Sequence, residues 1–417
     1  MSSSAGRALR QAPRAPALWA VTAFIIGRLI TVAAGLVAWS GGASPPSSGR
    51  WATVDHGVLF GGTLGRLFDP WAAWDGMWFT AIARVGYRAP EAPAFFPLYP
   101  ALVRVVAVLV RSYAAAGVIV SLVCAAAAMV VLYGMVATRY DARVAAWTVA
   151  FLSLCPVSFF FQAVYAESLF LLLVLGSLAL AEHGRWTLAC AVAGLAALTR
   201  NTGVLLCVPL FLAYAERRHW KLRGEHLEWP QDVRLAWLGL VPAGLIAYMG
   251  FLWWRVGDPL AFSTAQIAWA RSFAWPFVTV WRGAEGASHA LRVAVAQWPP
   301  SSSWIGPGGD GQWMFSMVLV PFVALVIAVI VLLLAWRLLP ASYNAWALLV
   351  VLVPLFTPVR NIPLLSLPRF LLAAFPLFLG LALLTAQRPL LRWTLIVASC
   401  LLLAWLSASF ALFSWVA

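Results

Sequence analysis

The segment FFPLYPALVRVVAVLVRSYAA, residues 95–115, decides how the chain is threaded. It is apolar enough to enter a bilayer, yet Arg104 and Arg111 stand seven residues apart and share one helical face. Such a face suits a helix lying in the membrane interface better than one crossing the membrane. The choice fixes the side of every later loop. With the segment flat and the N-terminus cytoplasmic, RYDAR (139–143), EHGR (182–185), ERRHWKLRGEHLEW (216–229), WRLLP (336–340) and QRPLLR (387–392) all fall inside, as the positive-inside rule favours. With the segment crossing, RYDAR and EHGR would face out.

The composition makes a membrane the setting. Of 417 residues 63% are hydrophobic and 10% are charged, where a soluble domain carries about 25% charge. Many apolar runs approach the ~20 residues that cross a bilayer as helix, and they are continuous rather than alternating, which excludes a membrane β-barrel. The expectation is an all-α, polytopic membrane protein with about eleven transmembrane helices. Residues 1–16 form a basic cytoplasmic tail ahead of a retained signal anchor, and residues 17–417 a single transmembrane domain. A first outer loop spans 40–113, a second 255–312, and the C-terminus lies outside.

Several function classes fall away. The five cysteines sit inside apolar runs without metal-ligand spacing, and the five histidines form no paired motif. No P-loop, dinucleotide fingerprint or Ser-His-Asp order is present. The net charge of +14 is almost all arginine, Lys221 being the single lysine, and in a membrane protein such an excess meets anionic lipid rather than nucleic acid. The Ala, Gly and Pro usage suggests a GC-rich genome. With no N-x-S/T acceptor and no KDEL-type ending, a bacterial plasma membrane is the expected location.

The polar residues that interrupt apolar sequence gather on the outer loops: Asp75, Glu167, Arg200, Asn201, Arg360 and Arg369. Asp75 stands in DPWAAWDGMWFTAIARVGY (69–87), among tryptophans of the kind found at headgroup depth. Partial desolvation there makes a carboxylate a stronger base, although the same aspartate could simply cap a short helix. Arg84 and Arg88 share a face that meets either a phosphate or solvent. Arg200 and Asn201 lie between two short apolar runs, where an arginine needs water, an anion or a partner. Glu167 in YAESLF is the candidate partner, as a structural ion pair or a substrate contact. Arg369 opens LPRFLLAAFP, where its fork suits a phosphate and its length also allows snorkelling. Arg28, inside the first span, has no reading.

Taken in order, WDGMWFTAIARVGY, FFPLYPALVR, YAESLF, LTRNTG and LPRFLLAAFPLF resemble the PIG-V family, whose eukaryotic members act as GPI mannosyltransferase 2. The resemblance runs from about residue 18 to 385. It implies the GT-C fold, a multi-span glycosyltransferase with interfacial helices in its first outer loop, and a catalytic acid matching Asp75. The expected function is transfer of a sugar, by resemblance mannose, from a polyprenyl-phosphate donor to a hydroxyl of a glycolipid, glycan or protein acceptor outside the membrane, with inversion. Because the composition looks bacterial, the eukaryotic acceptor is not carried over. Asp75 would be the base, Arg200 and Arg369 would face the leaving phosphate with Arg84 behind them, and Glu167 would orient an arginine or bind a sugar hydroxyl. No ligand cluster demands a metal, while a divalent cation beside Asp75 is compatible with the sequence. Two rivals are a lipid-linked sugar flippase, which predicts an internal repeat and polar residues at mid-membrane, and a non-catalytic partner subunit.

Overall fold

The computed structural model describes residues 14–40, 67–218, 232–298, 301 and 309–416. Most of the expected cytoplasmic tail, residues 41–66 of the first outer loop and most of the basic loop 216–229 lie outside the described residues. Among those described, the chain is helical, with one isolated antiparallel bridge between Arg271 and Val359 and no strand. The all-α expectation holds.

Five helices are long and apolar enough to cross a membrane: Ala15–Ala38, Tyr113–Arg139, Val233–Val256, Asp310–Ala335 and Pro389–Ala411. Others are shorter, among them Ala142–Ser153, Trp186–Ala197 and Phe375–Leu384. A 12-residue helix such as Ala142–Ser153 rises only about 18 Å, against about 30 Å of hydrocarbon. The expected eleven crossings therefore depend on counting short helices extended by irregular turns.

One such turn accounts for Arg28. The helix Ala142–Ser153 stops before Pro156, and backbone carbonyls freed at its end have no helical partner. Arg28 Nη1 donates to Ser158 O at 2.7 Å, and Nη2 donates to Ser158 Oγ at 2.9 Å and Ser153 O at 3.4 Å. Ser153 O ends a helix and carries partial negative charge, and with the carbonyl and hydroxyl of Ser158 in the following turn it receives a buried cation without a carboxylate. Gly27 makes the approach possible, since a Cβ there would lie 2.4 Å from Ser153 O.

The first helix, Arg14–Ser40, packs on Ala142–Ser153 and Pro389–Ala411, so the two ends of the chain share one side of the bundle. Tyr113–Arg139 packs on Leu98–Val110, Ala142–Ser153 and Glu167–Glu182. Trp186–Ala197 crosses Leu240–Val256 backbone to backbone: a Cβ on Gly244 would stand 2.0 Å from Gly194 O, a small-residue crossing of the sort membrane helices use.

The segment that opened the sequence reading forms the helix Leu98–Val110. It buries Tyr99, Pro100, Val103 and Ala107, and exposes Arg104 and Arg111 together with Val105, Val108 and Leu109. Arg111 adopts φ 59° at its end, and Ser112 caps the next helix by accepting from the Ala115 N–H at 3.3 Å.

The helix Glu167–Glu182 separates two polar ends by roughly 23 Å. At one, Tyr343 donates to Glu182 Oε1 at 2.6 Å, Arg139 stands 3.7 Å from the same oxygen, and Ser342 Oγ donates to Glu216 at 3.2 Å. RYDAR, EHGR and the start of the 216–229 loop thus meet at this end. Glu167, at the other end, meets the residues expected on the outer loops.

Candidate active site

Asp75 is the first residue of the helix Asp75–Val85. Trp74 before it is held at φ 59°, ψ −120°, a conformation costing a non-glycine residue on the order of 1–3 kcal/mol. Its neighbours fix it. The Asp75 N–H donates to the Tyr165 hydroxyl at 3.2 Å, and that hydroxyl donates to Ala73 O at 3.2 Å, so one phenol ties both sides of the turn. Gly76 packs against the turn, where a Cβ would come into ordinary contact, 3.4 Å, with the carbonyl oxygens of Trp71 and Val164. The carboxylate does not cap its own helix. It accepts from Arg369 Nη1 at 2.6 Å, with both side chains about nine-tenths buried (12% and 10% exposed).

Arg369 lies in the one-turn helix Leu367–Leu371, entered through Ser366 at φ 67°. Its guanidinium sits between two carboxylates, since Nε stands 3.2 Å from Glu167 Oε1. Rings of Phe160, Tyr165 and Phe370 surround it at 5.6, 5.3 and 5.3 Å. Glu167 Oε1 also accepts from Arg200 Nη1 at 2.8 Å. The other oxygen, Oε2, is buried without a donor among the described residues.

Arg200 precedes the 3-10 turn Asn201–Leu206 and stacks 4.7 Å from the Phe370 ring centre. Burial pulls its guanidinium below the usual range, and the charge of Glu167 opposes that pull. These chains line a cavity of about 530 Å³. Its polar wall holds Asp75, Glu167, Arg200, Asn201 and Arg369; Phe95, Phe262, Leu349, Val353 and Phe370 are among its apolar lining.

Five of the six site residues expected from the sequence therefore converge on one cavity. Arg84 is the exception: it is exposed in the last turn of its helix and does not line this cavity. The bland reading of Asp75 as a capping residue also gives way, because its carboxylate is spent on Arg369, 294 residues away. Arg360 is exposed.

The sequence reading missed Arg271. Its stretch pairs with the chain ahead of Arg369: Arg360 N–H donates to Ala270 O at 3.0 Å, Ser272 N–H to Pro358 O at 3.3 Å, and Ala274 N–H to Phe356 O at 3.0 Å. This short strap carries the Arg271 guanidinium to the cavity wall, 5.8 Å from the Phe370 ring. The one signal was an arginine among aromatics in AWARSFAW (268–275). Arg200, Arg271 and Arg369 against Asp75 and Glu167 leave the cavity one positive charge in excess. The two carboxylates are joined by no third acid, histidine or cysteine of metal-binding arrangement among the described residues.

Residues 56–217 match the family model described as Mannosyltransferase (PIG-V). Asp75, Glu167, Arg200 and Asn201 fall within the matched stretch; Arg271 and Arg369 fall beyond it. No curated protein matches the chain. Among solved structures the chain is similar to the Archaeoglobus fulgidus oligosaccharyltransferase, crystallised with a tethered acceptor peptide containing the NVT sequon. The alignment has 13% identity and a TM-score of 0.44, covering 95% of this chain and 55% of that one. This chain thus spans about half the length of that protein, and at this level of likeness nothing further rests on it. The resemblance carried by WDGMWF, FFPLYP, YAESLF and LTRNTG is borne out by the family match: over residues 56–217 the chain bears the pattern of the mannosyltransferase (PIG-V) family.

Proposed function

We propose that the chain is a GT-C-type membrane glycosyltransferase that moves a sugar, mannose by its family pattern, from a polyprenyl-phosphate donor to an acceptor hydroxyl outside a plasma membrane. The observation that carries the reading is the joining of one buried carboxylate to an arginine-rich wall inside a single cavity. The family match supports the choice of sugar. The positive-inside pattern supports the side, since the basic loops group at the end of the bundle opposite Asp75.

In the proposed reaction Asp75 accepts the proton of the acceptor hydroxyl as its oxygen attacks the anomeric carbon. The bond from that carbon to the phosphate oxygen breaks on the opposite face, and the phosphate leaves with the electron pair. A positioned base contributes about 10²- to 10⁴-fold, and preorganised cations stabilise charge growing on the leaving phosphate. Arg369 holds Asp75 in place and the arginine wall faces the phosphate. Glu167 Oε2, an acceptor with no donor of its own, suits a sugar hydroxyl, whose loss from such a site is costly.

Purified protein in lipid, given radiolabelled polyprenyl-phosphate-mannose and a glycolipid and glycan extract, tests the reading. Transfer by the wild type and not by Asp75→Asn is expected. Absence of transfer from this donor and from other polyprenyl-phosphate sugars would reject it. For the side, Asn201→Cys, exposed at the cavity rim, should react with an impermeant thiol reagent added outside, whereas His183→Cys should not. The reverse pattern would place the site inside.

A further inference from the structure

Three arginines share the cavity, but they are not equally free to bind. Arg369 donates Nη1 to Asp75 at 2.6 Å, and its Nε lies at ion-pair distance, 3.2 Å, from Glu167 Oε1 without a hydrogen bond. Arg200 spends Nη1 on the same Glu167 oxygen at 2.8 Å. Arg271 has no carboxylate at ion-pair distance among the described residues. Its side-chain hydrogen bond runs from Nη1 to Thr357 O at 2.9 Å, which leaves further guanidinium N–H groups for a ligand.

The surroundings point the same way. Burial, then the charge of Arg369, pull Arg271 down to about 10, with the charge of Asp75 opposing them. Trp269 and Phe273 flank it on the cavity wall, with Val353 and Pro354 beside them. Phe273, Trp275 and Phe277 continue outward from the strap as exposed aromatics, which sit at headgroup depth in membrane proteins. A phosphate joined to an apolar chain matches an arginine set in such a wall.

We propose that Arg271, with Arg200 beside it, receives the phosphate of the lipid-linked donor, and that Arg369 is instead a positioning residue for Asp75. This assignment rests on the lipid-phosphate reading given above. It moves the phosphate contact from the helix after LPRF to the strap in the second outer loop. The strap's backbone pairing with residues 356–360 then holds the phosphate contact in register with Arg369 and, through it, with the base.

The test is equilibrium binding to the full chain in lipid nanodiscs, comparing polyprenyl phosphate with the neutral polyprenol. Wild type should prefer the phosphate by about ten- to a hundredfold, the worth of a hydrogen bond to a charged group. Arg271→Gln should bring the preference close to unity, Arg271→Lys should fall between, and Arg84→Gln should match wild type. If wild type shows no preference, the lipid-phosphate reading falls and the assignment with it. If wild type prefers phosphate and Arg271→Gln keeps that preference, the assignment alone is overturned. Should Arg271→Gln not fold, Arg271→Lys decides: a reduced preference supports the assignment and an unchanged one overturns it. Inorganic phosphate is the remaining arm, and binding as tight as that of polyprenyl phosphate would make this a free-anion site and overturn the lipid-linked form.

Discussion

Replacing Asp75 with Asn separates a catalytic carboxylate from a structural one, because the surrounding geometry gives different sizes for the two effects. The change keeps the shape and leaves an amide oxygen where Arg369 Nη1 now donates at 2.6 Å. Arg369 retains Glu167 at 3.2 Å and the rings of Phe160, Tyr165 and Phe370. What is lost from the fold is the charged part of one hydrogen bond, about 1–2 kcal/mol. What is lost from the reaction is the base, about 10²- to 10⁴-fold, or roughly 3–5 kcal/mol of barrier. Transfer per mole of monodisperse protein should therefore fall at least a hundredfold while thermal unfolding, followed by tryptophan fluorescence, shifts by only a few degrees. Turnover within tenfold of wild type would refute Asp75 as the base. A loss of stability as large as that of Arg369→Ala would refute the claim that Glu167 keeps Arg369 in place.

Arg369→Ala should be the more damaging change to the fold, by about 3–5 kcal/mol, because it leaves Asp75 buried without its cation; thermal unfolding checks it, and a shift no larger than that of Asp75→Asn would count against it. Arg28→Ala should destabilise the protein by about 1–3 kcal/mol, chiefly by removing the donor to the Ser158 carbonyl, since Ser153 O keeps the Ser158 hydroxyl, yet leave turnover of the folded fraction unchanged. Donor affinity should be full below about pH 10 and fall above it, since burial makes Arg271 give up its proton earlier than an ordinary arginine and the phosphate needs the protonated form. In Arg271→Lys the fall should move to lower pH, because an amine starts from about 10.4 before burial lowers it; a flat titration of the dissociation constant from about pH 8 to about 11 would reject both statements.

The sequence made the site legible where a polar residue interrupts an apolar run. Asp75, Glu167, Arg200 and Arg369 each carry that cost on their face, and the structure brings all four together. Arg271 carries no such mark. It lies in a loop where arginine is ordinary, and only pairing with residues 356–360 turns it into the cavity. Arg28 did carry the mark but could not be read, because its partners are two backbone carbonyls and one serine hydroxyl 125 to 130 residues away, none of which has a sequence signature. Arg84 differs in the opposite way: a face shared with Arg88 suggested a phosphate contact, but the helix Asp75–Val85 carries Arg84 to an exposed last turn away from the cavity lining. The exposure of Arg104 and Arg111 on one side of Leu98–Val110 was visible in their spacing, whereas the short helices were over-extended, since hydropathy does not register that Pro156 ends a helix before the apolar run does.

Phe370 belongs to none of these charges and yet touches three of them. Arg200, Arg369 and Arg271 stand 4.7, 5.3 and 5.8 Å from its ring. An aromatic face is negative and attracts a cation by about 0.5–2 kcal/mol, more as water is excluded, so one ring offsets part of the repulsion among three like charges. The electrostatics of the cavity are thus set in part by an uncharged residue. Changing Phe370 to leucine would keep a hydrophobic wall while removing that quadrupole from three arginines at once, which makes position 370 a single handle on the collective field with every ionisable group left in place.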